Sequence, residues 1–213
     1  MMKRHWGMIL VTIILMIGMM SRAVANEDAL YGPVAPPGSA FIRVVNLSSQ
    51  TLPEAKAGNE TFRNISAYSG SPYQFFSPGP LKLQVLNTPL SFTLAAGHYY
   101  TLVVLTNGIT QVIEDLGKPD PRKATISVYN LSAVETVSLK TADGKVPVVE
   151  NIAKGSRQDR AINPVKVALA LYGSEPNSPE PTPVPAITLE RSQILSLFVT
   201  GDSSQLISTW IKQ

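Results

Sequence analysis

The segment AFIRVVNLSS at residues 40–49 has a counterpart in ATISVYNLSA at residues 124–133, and this match decides the fold. Asn46-Leu47-Ser48 falls on Asn130-Leu131-Ser132 at a shift of 84 residues. Within each segment, apolar residues recur at every second position, which is typical of half-buried β-strands. The sequence therefore predicts an internal repeat that is built from strands.

The repeat continues to the end of the chain. Without a gap, the shift of 84 places PLKLQVL from Pro80 over PVKVALA from Pro164, so that Lys82 meets Lys166. The shift then becomes 95, where FTLAAGHYYTLVVLTNG from Phe92 overlies ITLERSQILSLFVTGDS from Ile187. The Pro-rich run at 175–185 supplies the 11 additional residues and is expected to be an extended loop between two strands, because proline cannot donate a hydrogen bond to a sheet.

These patterns predict an all-β protein of two tandem small antiparallel β-sandwich domains, because turn signals such as SPGP, TNG and ADG recur between the alternating runs. The first domain is expected over 26–116, including an N-terminal arm, and the second over 124–213, including the insertion at 175–185. A linker at 117–123 contains Gly117, Pro119 and Pro121. Small domains bury a modest share of their surface, so the two are expected to pack on each other. Only Ser203–Ile211 has a pattern compatible with a helix.

Residues 1–25 resemble a signal peptide. Lys3 and Arg4 precede an uncharged run from Gly7 to Met20, and Ala23-Val24-Ala25 provides small residues for cleavage after Ala25. The run is shorter than the roughly 20 residues of a membrane-spanning helix. We therefore expect a periplasmic protein with no lipid anchor, since no cysteine is present.

Charge argues against nucleic acid as a partner. The chain has 18 basic and 15 acidic residues, but Lys3, Arg4 and Arg22 all lie in the expected signal peptide, which itself has no acidic residue. The remaining chain is formally neutral and has no basic stripe that would follow a phosphate backbone. Without cysteines, its stability must come from packing rather than from disulfides.

The Gly201-Asp202-Ser203 sequence raises the question of a serine nucleophile, because esterases of the SGNH class present their serine in a strand-ending Gly-Asp-Ser turn. The repeat places this tripeptide over Thr106-Asn107-Gly108, which indicates an ordinary turn. After the signal peptide, His98 is the only histidine, and it precedes Ser203 rather than following it. An activated serine needs a neighbouring base, and zinc sites need several His or Cys ligands. We therefore predict no catalytic residues, no metal site and no cofactor.

The residues that open the expected mature chain, EDALYGPVAPPGSAFIRVVNLSS, resemble the start of the AlgF family of periplasmic accessory proteins of alginate O-acetylation. Leu30-Tyr31-Gly32-Pro33, Gly38-Ser39-Ala40-Phe41 and Arg43 match the opening motif of that family, and AGHYYTLVV from Ala96 is similar to a second block. The resemblance implies a non-catalytic adaptor that docks membrane and periplasmic acetyltransferases while alginate is acetylated.

Two kinds of contact surface remain open at this point. The first is a docking segment rich in Pro and Gly, whose extended backbone is free to bind another protein, and it consists of Leu30, Tyr31, Gly32, Pro33, Pro36 and Pro37. An arm folded over its own first domain explains the same residues equally well.

The alternative is a carbohydrate-binding module that contacts the polyuronate directly. Aromatic rings of the first copy could stack on sugars, and cations of the second copy could bind carboxylates. The candidate recognition surface comprises Tyr68, Tyr73, Phe75, Phe76, Lys154, Arg157 and Arg160. Because the gapless shift puts Arg157, Asp159 and Arg160 opposite Tyr73, Phe75 and Phe76, at least one copy is expected to expose these positions. A loop that packs differently in the two copies would also account for the difference.

Overall fold

The computed structural model describes residues 34–86, 88–106, 108, 110–173 and 180–212. All the regular secondary structure within these ranges is β-strand, so the all-β prediction is confirmed. No helix in the described ranges is long and apolar enough to cross a membrane. The expected helix at Ser203–Ile211 is wrong, because Leu206–Lys212 forms a strand.

The first half of the chain forms two sheets. Its strands are β1 (Ala40–Asn46), β2 (Leu52–Ala57), β3 (Glu60–Ile65), β4 (Ser69–Gly70), β5 (Gln74–Phe76), β6 (Gly79–Val85), β7 (Thr88–Leu94), β8 (Tyr99–Val104) and β9 (Thr110–Asp115). One sheet has the order β4-β1-β8-β9, with β5 also paired to β1, and the other has the order β3-β2-β6-β7. The two sheets enclose a core that includes Ile42, Val44, Phe62, Leu83 and Leu102.

The second half repeats this plan. Its strands are β10 (Ala124–Asn130), β11 (Thr136–Thr141), β12 (Pro147–Ala153), β13 (Arg157–Ile162), β14 (Lys166–Val167), β15 (Leu169–Gly173), β16 (Thr182–Pro183), β17 (Ile187–Thr188), β18 (Gln193–Gly201) and β19 (Leu206–Lys212). The sheet β13-β10-β18-β19 packs over β12-β11-β15-β16, and β14 pairs with β17. Its core includes Ile126, Val128, Leu139, Leu171 and Leu197.

One strand pair in each half departs from the antiparallel expectation. β1 pairs with β8 in parallel, and β10 pairs with β18 in parallel, whereas all the other strand pairs of the described residues are antiparallel. Parallel neighbours need a long crossover, which here contains the other sheet of the same half, together with β4 and β5 in the first half and β13 in the second. Alternation of apolar residues does not reveal strand direction, so the sequence pattern could not show this.

The repeated Asn-Leu-Ser motif forms the same hydrogen-bonded turn in both halves. Asn46 Nδ2 donates to the carbonyl oxygens of Gln50 (2.7 Å) and Ile65 (3.0 Å), and Asn46 Oδ1 accepts from Ser48 Oγ (2.7 Å). Asn130 makes the corresponding bonds to Val134 O (3.1 Å), Ile152 O (3.0 Å) and Ser132 Oγ (2.6 Å). Both asparagines are fully buried, so their amides satisfy backbone groups that would otherwise lack partners.

The two halves lie in one compact unit, Pro37–Gln213, and pack face to face. Val45, Leu47 and Val103 of the first half form a third apolar cluster with Tyr129, Phe198 and Ile211 of the second. Consequently β10 is buried on both faces and β1 nearly so, rather than half-exposed. Hydrogen bonds across this contact join Arg43 of β1 to Ser196 of β18, and Arg157 of β13 to Glu114 of β9.

The register corrects the gapless alignment. Ala57 pairs with Leu83, and its counterpart Thr141 pairs with Leu169, so the shift here is 86 rather than 84. The β2–β3 turn lies between Ala57 and Glu60, whereas the β11–β12 connection runs from Thr141 to Pro147, and this longer hairpin causes the change. Lys166 therefore corresponds to Pro80 and not to Lys82. The shift of 95 is confirmed, because Leu102 pairs with Val44 and Leu197 pairs with Val128.

Part of the Pro-rich insertion belongs to the second sandwich. Thr182 and Pro183 pair with β15 as β16, and Val184 is buried in the core. Val184 N donates to Leu169 O (2.9 Å), and Pro185 O accepts from Trp210 Nε1 (3.0 Å). Residues 180–185 thus close one edge of a sheet, while 175–179 lie outside the described residues.

Candidate functional site

A polar network is buried where the two halves meet. Arg43 lies on the face of β1 that points away from the first core, and only 1% of it is exposed. Its Nε donates to Thr101 Oγ1 (2.7 Å) and lies 3.7 Å from Asp115 Oδ2, and its Nη2 donates to Ser196 Oγ of the second half (2.9 Å). A buried charge needs such partners, because the loss of its hydration would otherwise destabilise the fold.

Asp115, at the end of β9, accepts hydrogen bonds from hydroxyl groups of both halves. Its Oδ2 accepts from Tyr73 (2.6 Å) and Thr101 (2.5 Å), and its Oδ1 accepts from Tyr129 of the second half (2.5 Å). Burial raises the pKa of the Tyr73 and Tyr129 hydroxyls, and the nearby Asp115 carboxylate raises it further. Both tyrosines therefore remain protonated donors at physiological pH.

An aromatic cluster closes one end of this network. Tyr73 covers the Arg43 guanidinium, with 5.1 Å from Cζ to the ring centroid, and meets Tyr99 edge-on at 5.3 Å. Tyr99 in turn stacks on Phe41 at 4.4 Å. A Cβ added at Gly117 would lie 3.1 Å from the Tyr99 ring, so glycine there leaves room for the ring. One face of Tyr99 is covered by Phe41, and Gly117 packs closely on the ring, which makes Tyr99 a poor platform for a sugar.

The Gly201-Asp202-Ser203 segment is a turn between β18 and β19. Asp202 Oδ1 accepts from Ser204 Oγ (2.5 Å), Ser204 N (2.8 Å) and Gln205 N (3.2 Å), and these bonds, above all the one from the Ser204 hydroxyl, lower the pKa of the Asp202 carboxyl. Gly201 has a φ of 96°, and a Cβ there would lie 2.1 Å from Gln205 O. The residue types are explained by this turn, and Ser203 is exposed beside it.

His98 lies in the other half of the molecule from Ser203. Its Nδ1 is 2.9 Å from Glu114 Oε1, and 47% of the His98 side chain is exposed. Among the described residues, no group of three or more His, Cys, Asp or Glu side chains is arranged to hold a metal ion.

The structure separates the aromatic members of the predicted recognition surface. Tyr68 is 49% exposed. Tyr73 belongs to the buried network, and Phe76 packs against the first core. Phe75 is half-buried beside Phe41 in the sheet.

For Phe76, the expectation that the second half has a charge at the same position is wrong, because it used the gapless shift. Phe76 pairs with Ala40, and Ile162 pairs with the corresponding Ala124, so Ile162 is the counterpart of Phe76. Both side chains pack against the core of their own half. Comparison of the two halves therefore gives no reason to expect Phe76 on an exposed recognition surface.

The basic members of that surface lie in the second half. Arg157 Nη2 pairs with Asp159 Oδ2 (2.9 Å), and its Nη1 donates to Glu114 O across the junction (2.6 Å). Lys154 and Arg160 are exposed. Arg157 thus contributes to the contact between the halves, while the other two cations face solvent.

Most of the predicted docking segment falls outside the described residues, namely Leu30, Tyr31, Gly32 and Pro33. Pro36 and Pro37 are described and exposed. Sequence reasoning did not find the network around Arg43 and Asp115. The available signal was Arg43 itself, a lone cation within the otherwise apolar run AFIRVV.

Comparison with known proteins agrees with the opening motif. A family model described as "Alginate O-acetyl transferase AlgF" matches residues 12–196. The chain belongs to the AlgF family. Among its relatives, "Alginate biosynthesis protein AlgF" of Pseudomonas fluorescens is 39% identical over 191 residues, which cover 90% of this chain and 86% of that protein.

Two further similar proteins come from Pseudomonas aeruginosa. The protein of strain PAO1 with the same name is 38% identical over 191 residues, which cover 90% of this chain and 86% of its own length. A solved structure of the C-terminal domain of AlgF is 40% identical and covers 43% of this chain and 99% of that chain, with a TM-score of 0.37.

Proposed function

We propose that the protein is a non-catalytic, periplasmic accessory protein of alginate O-acetylation, which docks the acetyltransferase components that act on the polymer. The family and its relatives are named for alginate biosynthesis and O-acetyl transfer, which supports the choice of pathway. Signal-peptide character of residues 1–25 supports export.

One observation carries the non-catalytic part of the proposal. A group of ionisable and hydroxyl side chains around Arg43 and Asp115 is sealed between the two halves, and Thr101, Tyr129 and Ser196 in it are fully buried. A substrate could reach these groups only if the halves separated. Arg43 Nη1 is buried without a hydrogen-bond partner among the described residues, but the hydrogen bonds described above are made between these groups, so they act as structural groups that hold two binding modules together.

The setting of Ser203 and His98 supports the same proposal. Ser203 occupies an exposed turn in one half, and His98 pairs with Glu114 in the other. Nucleophilic catalysis needs the base within hydrogen-bonding reach of the hydroxyl. The fold places Ser203 and His98 in different halves of the molecule, and it does not bring them together as a nucleophile and its base.

The test is a strain that lacks this protein. This strain should make alginate with little acetyl ester, and acetylation should return when the wild-type protein is supplied. Tagged protein should co-purify known acetyltransferases of the pathway from the periplasm and membrane. Purified protein mixed with an acetyl donor and mannuronate oligomers should transfer no acetyl group. Transfer in that mixture would contradict the proposal.

Direct contact with the polyuronate is the second candidate function, and the exposed Tyr68 ring favours it. This residue has a φ of 52°, a backbone conformation that bulky residues rarely adopt. Asn46 pairs with Ser69, and Asn130 N donates to Ser156 O, so Gly155 has the corresponding position in the second half, with a φ of 74°. An exposed aromatic kept at a site suited to glycine is consistent with a ligand-facing role. Titration with mannuronate oligomers, with loss of affinity in Tyr68→Gly, would establish it.

A further inference from the structure

An apolar groove runs across the end of the junction between the two halves. Leu105 contributes to it from the first half, and Leu131 and Ile207 contribute from the second. The groove has a volume of about 640 Å³. It lies where β8, β10 and β18 end, so both sandwiches are needed to form it.

A second depression of about 200 Å³ adjoins the groove, and Leu105 and Thr106 line both. Leu86 lines the second depression. Leu86 is 53% exposed and Ile207 is 47% exposed, which places them among the few large apolar side chains of the described residues that face solvent. Exposed apolar side chains that line adjoining depressions are characteristic of interaction sites rather than of ordinary surface.

The backbone at Leu86 adds a separate observation. Leu86 has a φ of 52°, which costs a residue with a side chain roughly 1–2 kcal/mol relative to ordinary conformations. Its side chain recovers little by burial because it remains exposed. The two-residue connection between β6 and β7 accounts for this positive φ, but it does not require a large apolar side chain, so an exposed leucine beside an apolar groove is consistent with an interaction site.

Charge restricts the occupant. Lys154 is exposed and is the only charged residue that lines the groove among the described residues. The other polar lining groups are hydroxyls, and Ser132 Oγ is already bonded to Asn130 Oδ1 at 2.6 Å. Aliphatic walls offer no aromatic face for stacking on a sugar ring. A chain with apolar side chains and a carboxylate fits these walls better than a polysaccharide does.

We propose that this groove docks an extended segment of a partner protein that carries apolar side chains and an acidic residue, whose carboxylate binds Lys154. This inference rests on the accessory function proposed above and specifies its docking surface. The apolar side chains of the segment would cover Leu105, Leu131 and Ile207.

A direct binding measurement uses a blocked octapeptide of alternating leucine and serine with one central glutamate. The probe is added to isotope-labelled full-length mature protein, and backbone amide shifts are followed. The shifts should move at Leu105, Leu131 and Ile207, and affinity should fall about fivefold when lysine replaces the glutamate. Lys154→Glu should reverse that preference. The inference is overturned if the peptide moves none of these shifts, or if a mannuronate hexamer moves them instead.

Complementation of a deletion strain with variants tests the groove separately from the accessory function on which this inference rests. Ile207→Lys and Leu86→Lys should restore alginate acetylation poorly, whereas Val146→Lys should restore it fully, since Val146 is equally exposed (56%) but lies outside the groove. Melting temperatures of all three variants should match the wild type. If deletion of the protein leaves acetylation unchanged, the accessory function fails. If deletion removes acetylation but all three variants restore it, only the groove proposal fails.

Discussion

Arg43 and Asp115 form a buried ion pair on one sheet of the first half, and the second half completes it through Ser196 and Tyr129. Removing one member leaves the other buried without its partner, which costs about 3–5 kcal/mol. Asp115→Ala should therefore lower the free energy of unfolding by about that amount in urea titrations. Glu60→Ala, at an exposed carboxylate of β3, is the control and should have little effect. Equal effects of the two changes would show that the pair does not hold the halves together.

High pH should weaken the same junction. Burial raises the pKa of Tyr73 and Tyr129 above the usual value of about 10. A raised pKa in the folded state means that the stabilisation is complete below pH ~10 and decreases as the pH rises further. Urea midpoints should fall progressively as the pH is raised above about 10, the pKa of an unfolded tyrosine, together with the appearance of phenolate absorbance. Tyr129→Phe should have a shallower fall, and an unchanged slope would contradict the assignment.

The Gly201 turn provides a structural test of the Gly-Asp-Ser sequence. Gly201→Ala should lower stability by at least about 2 kcal/mol, because the new Cβ would lie 2.1 Å from Gln205 O at a φ of 96°. Gly38→Ala is the matched control, since Gly38 also has a positive φ but a Cβ there meets no described atom within 4 Å. Thermal unfolding should show the larger loss for Gly201. Similar losses would mean that backbone conformation alone, without the close contact, determines the effect.

The Tyr68→Gly variant distinguishes a role of the Tyr68 ring in stability from a role in ligand recognition. Tyr68→Gly relieves the left-handed backbone strain of roughly 1–2 kcal/mol, and part of this gain is offset by the greater freedom of glycine in the unfolded chain. The melting temperature should stay equal or rise slightly. A decrease of more than about 1 kcal/mol in the free energy of unfolding would show that the Tyr68 ring stabilises the first half. Phe76→Ala is the contrasting variant and should destabilise the protein, because Phe76 packs on the core.

The buried asparagines test the repeat as a physical unit. Asn46→Ala and Asn130→Ala should each destabilise by about 1–3 kcal/mol, because each leaves buried carbonyl groups without donors. Asn59→Ala, at an exposed position, is the control. Calorimetry of the three variants should give comparable losses for the first two. A loss confined to one half would show that the motif has different roles in the two copies.

The sequence predicted the strands and the repeat because apolar alternation and the Asn-Leu-Ser motif are local signals. It did not predict the parallel pairing of β1 with β8, since strand direction is set by the chain between them. The gapless alignment failed at the β11–β12 hairpin, where a few added residues leave the periodicity of the next strand unchanged. Phe76 was consequently matched to a charged residue instead of to Ile162.

The network at the junction depends on contacts between residues that are far apart in the chain. Arg43 and Ser196 are 153 positions apart, and nothing local marks Ser196 as the partner of an arginine. The groove at Leu105 and Ile207 was also invisible in the sequence, because each half contributes only part of its lining. Lys154 was predicted as a recognition residue, and the structure places it in this groove.

The most direct test of the central claim measures the acetyl content of alginate from a strain in which the Ser203→Ala/His98→Ala double variant replaces the wild-type protein. A non-catalytic accessory protein predicts acetylation within about twofold of wild type, because neither residue has the neighbours that nucleophilic catalysis requires. A loss on the order of 100-fold, in a variant that melts like the wild type, is the scale expected when a general base is removed. That result would contradict the account.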